Sequence, residues 1–288
     1  MTAVAISNAS TRRVKARRVL PGFGLALGGT LLYLAIIVLL PLAALLLKSA
    51  EIGPEGFLRL LSSPRVLASL QITVTAAALA TLFNAGYGLL MAWILVRYDF
   101  PGKRILDALI DLPFALPTAV AGVALTALYA GNGWYGQVIE GMAGIKVAYT
   151  VIGVAIAMAF TAAPFVVRTV QPVLEDIQPD VEEAAATLGA YPGLIFRKIV
   201  FPAIFPAYLT GCALAFARSL GEFGAVIFIA GNLPFKTEIA ALLIFIRLEE
   251  YDYPAAAALA VVLLAGAFCI LLLVNAIQAW QVRYKVKN

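Results

Sequence analysis

Residues 182–189 read Glu182-Glu183-Ala184-Ala185-Ala186-Thr187-Leu188-Gly189: two carboxylates, a run of helix-forming residues, then glycine. Acidic residues suit the positive end of a helix, Asp180 after Pro179 suits its start, and Gly189 is placed to stop it. After Tyr191-Pro192-Gly193 comes a second amphipathic stretch, Leu194–Val200, which carries Arg197 and Lys198 and is closed by Phe201-Pro202. The pattern predicts two small helices joined by a turn. The chain contains no histidine, so these carboxylates lack the usual neutral-pH partner for acid–base work. The plain reading is a solvated loop.

A second group of chemically capable residues is Arg218, Ser219 and Glu222. Arg218 and Glu222 stand four residues apart, on one face of a helix. A lone charge at the centre of a bilayer costs roughly 2.5–3.5 kcal/mol on insertion scales, so the two must pair or face a cavity. An ion pair that fixes packing is one reading; a polar position on a pathway or gate, where Arg218 offsets an anion's charge, is the other. Asn84 is a further polar candidate, and Thr118 and Asn275 read as glue between helices. Pro113 and Pro117 remove ladder hydrogen bonds and predict a bend. Gly86, Gly88 and Gly211 predict close helix approach.

What must position these residues is a membrane. Of 288 residues, 62% are hydrophobic and 13% charged, and the mean hydropathy is +0.95. A soluble domain carries about 25% charged residues, so this chain cannot cover a water-facing surface. Crossing the hydrocarbon takes about 20 apolar residues. Six stretches qualify: Phe23–Leu47, Gln71–Val96, Ile105–Ala130, Tyr149–Val167, Ala207–Ala230 and Ala255–Trp280. The fold expected is therefore all-α and integral to a membrane, with about six spans.

The first stretch is longer than the apolar core of a signal peptide and reads as a retained anchor. With the N-terminus inside, the inner segments hold fourteen of the 21 Lys and Arg residues and the outer segments six, which predicts two cytoplasmic termini. That bias also accounts for the net charge of +5 without nucleic acid. The organisation expected is a basic segment 1–20, then a membrane domain 21–288 whose long inner loop spans about 171–206. The outer segment Gly231–Pro254 is rich in charge and expected to be wet. Cys212 and Cys269 read as small apolar residues, and no metal site is implied.

Glu183-Ala184-Ala185, three residues, Gly189, nine residues, then Ile199-Val200-Phe201-Pro202 resembles the EAA loop of ABC importer permeases, with Phe201 where leucine is usual. The resemblance implies a type I importer permease whose loop residues Glu182, Glu183, Ala184, Ala185, Gly189, Ile199 and Pro202 dock on a separate ATPase. That ATPase, in two copies, would hold ATP and Mg²⁺, since no Gly-x-x-x-x-Gly-Lys-Ser/Thr phosphate loop occurs in this chain. No cofactor is expected on the chain itself, and no enzyme activity.

Arg218-Ser219-Leu220-Gly221-Glu222-Phe223-Gly224 resembles a tract shared by sulfate and molybdate permeases. Residues 230–239 and 246–254 look like the sulfate/thiosulfate group in particular. The resemblance further implies a second, related permease subunit, an extracytoplasmic sulfate-binding protein and a bacterial inner membrane. Asn232, Lys236, Arg247 and Glu250 are candidates for docking that binding protein. A molybdate or tungstate permease is the alternative within the family, and an ion-coupled carrier the alternative outside it.

Overall fold

The computed structural model describes residues 22–287, with side chains to residue 278. The basic segment expected at 1–20 and the C-terminal cations Arg283, Lys285 and Lys287 lie outside what is described of them. No strand occurs among the described residues.

Among the described residues, five helices are long and apolar enough to span a bilayer. They are α1 (Phe23–Ala50), α3 (Pro64–Arg97), α8 (Val151–Glu175), α10 (Pro192–Leu220) and α13 (Tyr253–Lys287, apolar as far as Gln278). Between them lie α2 (Gly53–Ser62), α4 (Lys103–Ile110), α5 (Leu112–Ala115), α6 (Thr118–Tyr129), α7 (Trp134–Ala143), α9 (Pro179–Thr187), α11 (Val226–Ile229) and α12 (Ala240–Glu249). The chain divides at Leu45. Within the first unit, none of the residues from Phe23 to Leu39 is buried.

The second unit is built around α8, which packs against both α3 and α10. Its inward face is lined by Val154, Ala157, Met158, Ala162, Val166, Val170 and Leu174, none of which is exposed. Alanines at 76, 77 and 80 on α3 answer the alanines of α8. Small side chains let the backbones close up, and dispersion between them does the work that water-driven burial does elsewhere. A Cβ on Gly88 would sit 2.6 Å from the Val166 side chain, and one on Gly211 would sit 2.9 Å from Val166 Cα. Those two glycines let α3 and α10 close on α8. Gly86 differs from expectation: nothing stands within 4 Å of its missing Cβ.

Two of the six expected spans are broken. Ile105–Ala130 is not one bent helix but three pieces, α4, α5 and α6. Pro113 falls in the first turn of α5, and Pro117 is the residue just before α6. Both prolines start helices rather than kink one. Leu116, held in front of Pro117, is forced extended (ψ 135°). The expected Ala207–Ala230 also fails to run through: α10 stops at Leu220, residues 221–225 are not helical, and α11 resumes at Val226.

The opposite error occurs at Phe201-Pro202. These residues do not close a short helix, since α10 continues from Pro192 to Leu220. Residues Phe196–Val200 form a π-helical turn immediately before. The wider turn changes the hydrogen-bond register just where Pro202 lacks its N–H, so the proline is carried without a break.

Candidate functional site

The loop between α8 and α10 holds α9. Pro179 is its first residue, with Asp180 and Glu182 in the first turn. The helix starts one residue before Asp180, and no side chain caps it. Its end follows from Gly189, which adopts φ +89°, a left-handed conformation natural to glycine. The Gly189 N–H donates to Ala186 O (2.9 Å) and the Ala190 N–H to Ala185 O (3.1 Å). This is the Schellman closure, and it satisfies two carbonyls otherwise left bare at the helix end.

Glu182 and Glu183 then diverge. Glu182 pairs with Arg97 at the end of α3, and the Arg97 guanidinium lies 5.5 Å over the Trp93 ring. Glu183 is exposed and, among the described residues, has neither a hydrogen bond nor an ion pair. Both border a hollow of about 310 Å³ with Trp93, Ala186, Pro192, Ile195 and Phe196. Around it the loop presents bare apolar side chains: Leu188 is 89% exposed, Tyr191 66% and Val181 48%. Ala184, Gly189 and Pro202 are exposed too, while Ala185 and Ile199 pack against the core under the loop. The arrangement is an exposed carboxylate among uncovered apolar residues on a helix closed by a Schellman turn. Sequence reasoning missed Arg97, Trp93 and the exposed apolar trio. Only the folded loop gathers them.

The second group lies where the broken helices meet. A Cβ on Gly122 of α6 would come 2.4 Å from Ala225 O, and one on Gly224 would come 2.1 Å from Thr118 Oγ1. The first turns of α6 and the gap after α10 therefore lie in close contact, backbone to backbone at Gly122 and Ala225. Irregular backbone in a membrane is tolerated where protein buries it or a cavity wets it.

Arg218 is in the last turn of α10, where a cation suits the exposed carbonyls. Glu222 has left the helix, yet its Oε2 stands 2.7 Å from Arg218 Nη1 while its Oε1 accepts from the Ala225 N–H (3.0 Å). Glu222 Oε2 has no aligned hydrogen bond, so the contact with Arg218 is an ion pair of charge alone. The carboxylate is buried and the arginine side chain 36% exposed. Seventeen residues of helix, about 25 Å of rise, separate Arg218 from Phe201. The pair thus sits toward the end of the bundle opposite the loop rather than at mid-depth. Ser219 Oγ is buried beside it with no partner. Asn84 is fully buried between α3 and α8, donating through Nδ2 to Ala159 O (3.0 Å). It faces a helix contact, not a cavity.

The outer tract is less open than its charges predict. Thr237, Glu238, Ile239 and Ala240 are buried. Arg65 grips Glu238 with two hydrogen bonds, 2.8 Å from Nε and 2.7 Å from Nη2. Asn232 is half-buried and donates to Ile227 O, and Arg247 is paired with Glu250 at 3.0 Å. Lys236 and Glu250 are exposed. The tract is a folded cap because α12 brings Leu242 and Leu243 inward and needs its start fixed, which Thr73 Oγ1 does by accepting from the Ala240 N–H.

Spanning helices packed through alanine, two of the six interrupted, and an amphipathic helix held out at one end define a class: the membrane-embedded subunit of a transport system. The chain belongs to the family of binding-protein-dependent transport system inner membrane components, which it matches over residues 84–285. It is 55% identical over 266 residues to the sulfate transport system permease protein CysT of Salmonella typhimurium, covering 92% of this chain and 96% of that one. The protein of the same name from Synechocystis is 48% identical, covering 88% and 89%. Among solved structures, a bacterial alginate ABC transporter in complex with an alginate pentasaccharide-bound periplasmic protein has a chain of the same fold, with a TM-score of 0.73 at 17% identity, covering 88% and 92%. The architecture is that of a type I ABC importer permease.

Proposed function

We propose that this chain is the sulfate-translocating permease subunit of an ATP-driven importer, with both termini in the cytoplasm. The observation that carries the substrate is the 55% identity to a sulfate permease along nearly the full length of both chains. In this reading the α9 surface, with Glu183, Leu188 and Tyr191, meets the ATPase on the cytoplasmic side. Two ATPase copies hold ATP and Mg²⁺, a second related permease subunit completes the pathway, and a sulfate-binding protein delivers the anion outside. Lys236 and Glu250 are the exposed residues of the docking set on the outer cap, Glu250 being paired with Arg247.

Sulfate is a small dianion, and the described residues offer it no closed cage of cations. Selection then rests on the binding protein, and the permease needs only a brief compensating charge. Arg218, partly exposed and already balanced by Glu222, supplies charge without a deep trap. Motion of α9 passes through α8 and α10 to the contact of the two interrupted helices, opening the pathway on one side as it closes on the other.

The test is ATP-dependent uptake of radiolabelled sulfate in cells lacking the chain. Wild type restores uptake, and Glu183→Arg combined with Gly189→Asp, expressed equally, does not. Sulfate and thiosulfate compete better than molybdate. Normal uptake by the double variant sinks the docking assignment, and competition dominated by molybdate replaces the substrate.

A further inference from the structure

Arg168, on α8 two turns before that helix ends, spends every guanidinium nitrogen on one neighbouring element. Its Nε donates to Asp111 Oδ1 (2.8 Å) and its Nη2 to Asp111 Oδ2 (2.6 Å) and Asp107 O (2.9 Å). Its Nη1 donates to Asp107 Oδ1 (2.6 Å) and, within α8, to Gln171 Oε1 (2.7 Å). Asp107 belongs to α4, and Asp111 is the residue between α4 and α5. The rest of α4 is held on one side, by Ile110, which is buried, and Leu106, which packs on the same core, while Ile105 is 68% exposed and Leu109 54%. Its polar tie to α8 is the planar fork of a single arginine, a geometry an ammonium cannot copy.

The two ends of this contact are the significant part. Below Arg168, Val170 and Leu174 pack with Ile195 and Val200 under the loop, and α8 runs straight on to α9. Beyond Asp111 come α5, the Leu116–Pro117 break and α6, whose Gly122 meets Ala225 past the end of α10. We infer that Arg168 is a positioning residue that couples the docking loop to the interrupted pathway helix, by tying α4 to the shaft that carries the loop. The inference rests on the transport reading for what is coupled. The clamp itself stands on the geometry. Asp107 and Asp111 are 41% and 48% exposed, so the clamp lies at the edge of the core formed by Ile110, Val167 and Val170 rather than inside it.

The experiment uses the whole complex, with its ATPase and binding protein, in lipid vesicles and nanodiscs. Arg168→Gln and Asp111→Asn are compared with wild type and with Arg168→Lys. Amide exchange over Lys103–Ile110 rises about tenfold in the first two, and sulfate moved per ATP falls about tenfold, the size of an ordinary coupling term. Hydrolysis stimulated by the loaded binding protein stays within about twofold of wild type, as coupling loss rather than collapse requires. Arg168→Lys lies between. Unchanged exchange over Lys103–Ile110 overturns the clamp. Hydrolysis and uptake falling in proportion, with less assembled complex, overturns coupling in favour of mere folding. If wild type moves no sulfate although ATP is hydrolysed, the transport reading fails, and the exchange measurement still decides the clamp.

Discussion

Single residues divide here by whether their charge is spent. Glu182 is spent on Arg97, Glu238 on Arg65, and Asp107 and Asp111 on Arg168, whereas Glu183 is free. Two adjacent glutamates of one motif therefore do different work, which their types could not reveal. The Arg218–Glu222 pairing was legible from spacing, but the end of α10 between them was not. Removing Glu222 leaves the Ala225 N–H without its acceptor, a loss of about 1–3 kcal/mol for a buried donor, and leaves Arg218 alone. Glu222→Ala is accordingly expected to unfold at lower temperature than Glu222→Gln, whose amide oxygen can still accept from Ala225. Replacing both charges, Arg218→Met with Glu222→Met, recovers part of the stability, because apolar side chains replace a buried ion pair at little net cost. Melting of the purified protein and sulfate uptake are the two readouts. Full transport by the apolar double variant would show the pair to be structural and remove Arg218 from the pathway.

Elements were legible wherever composition alone decides them. Hydropathy found α3, α8 and the apolar length of α13, because an unbroken run of lipid-compatible residues has one stable state, the helix with all its backbone bonds internal. It could not see that two runs are interrupted. A broken helix has the same composition as an intact one, and the interruption at residues 221–225 is stabilised by a partner, α6, far off in sequence. Pro202 misled in the other direction, since the π turn that absorbs it has no sequence signature. The contact between α6 and the break after α10 is tight enough to test. In Gly224→Ala the new methyl meets Thr118 Oγ1 at 2.1 Å and Ala119 N at 3.3 Å, so the backbones must part. Over-packing of this kind costs about 1–3 kcal/mol. Uptake is expected to drop severalfold with the complex still assembled, and Thr118→Ala added to Gly224→Ala should restore part of it by removing the nearer atom. No effect of Gly224→Ala on either uptake or melting would mean that the junction is slack.

For the whole molecule, the structure narrows where the energy for transport could enter. A carrier driven by an ion gradient needs acidic groups inside the bilayer that are free to bind and release the ion. Among the described residues of the second unit, the acidic groups of the broken spans are committed: Glu222 to Arg218 and the Ala225 N–H, Asp107 and Asp111 to Arg168. At the loop end, Glu183, Leu188 and Tyr191 stand in the open. Energy should therefore enter through that loop from another polypeptide, not through the bilayer. In vesicles containing the complete complex, sulfate uptake is expected to continue when the proton and sodium gradients are collapsed but ATP is supplied on the side of the ATPase. It should stop when ATP is withheld with the gradients intact. The decisive control is Glu183→Arg, which reverses the charge of the free carboxylate without touching the Arg97–Glu182 pair. It is expected to lower ATP-driven uptake at least about tenfold, the scale of removing one charge-assisted hydrogen bond from an interface. Uptake that follows the gradients and ignores both ATP and Glu183→Arg would place the engine within this chain, and the committed carboxylates would have to exchange partners during transport.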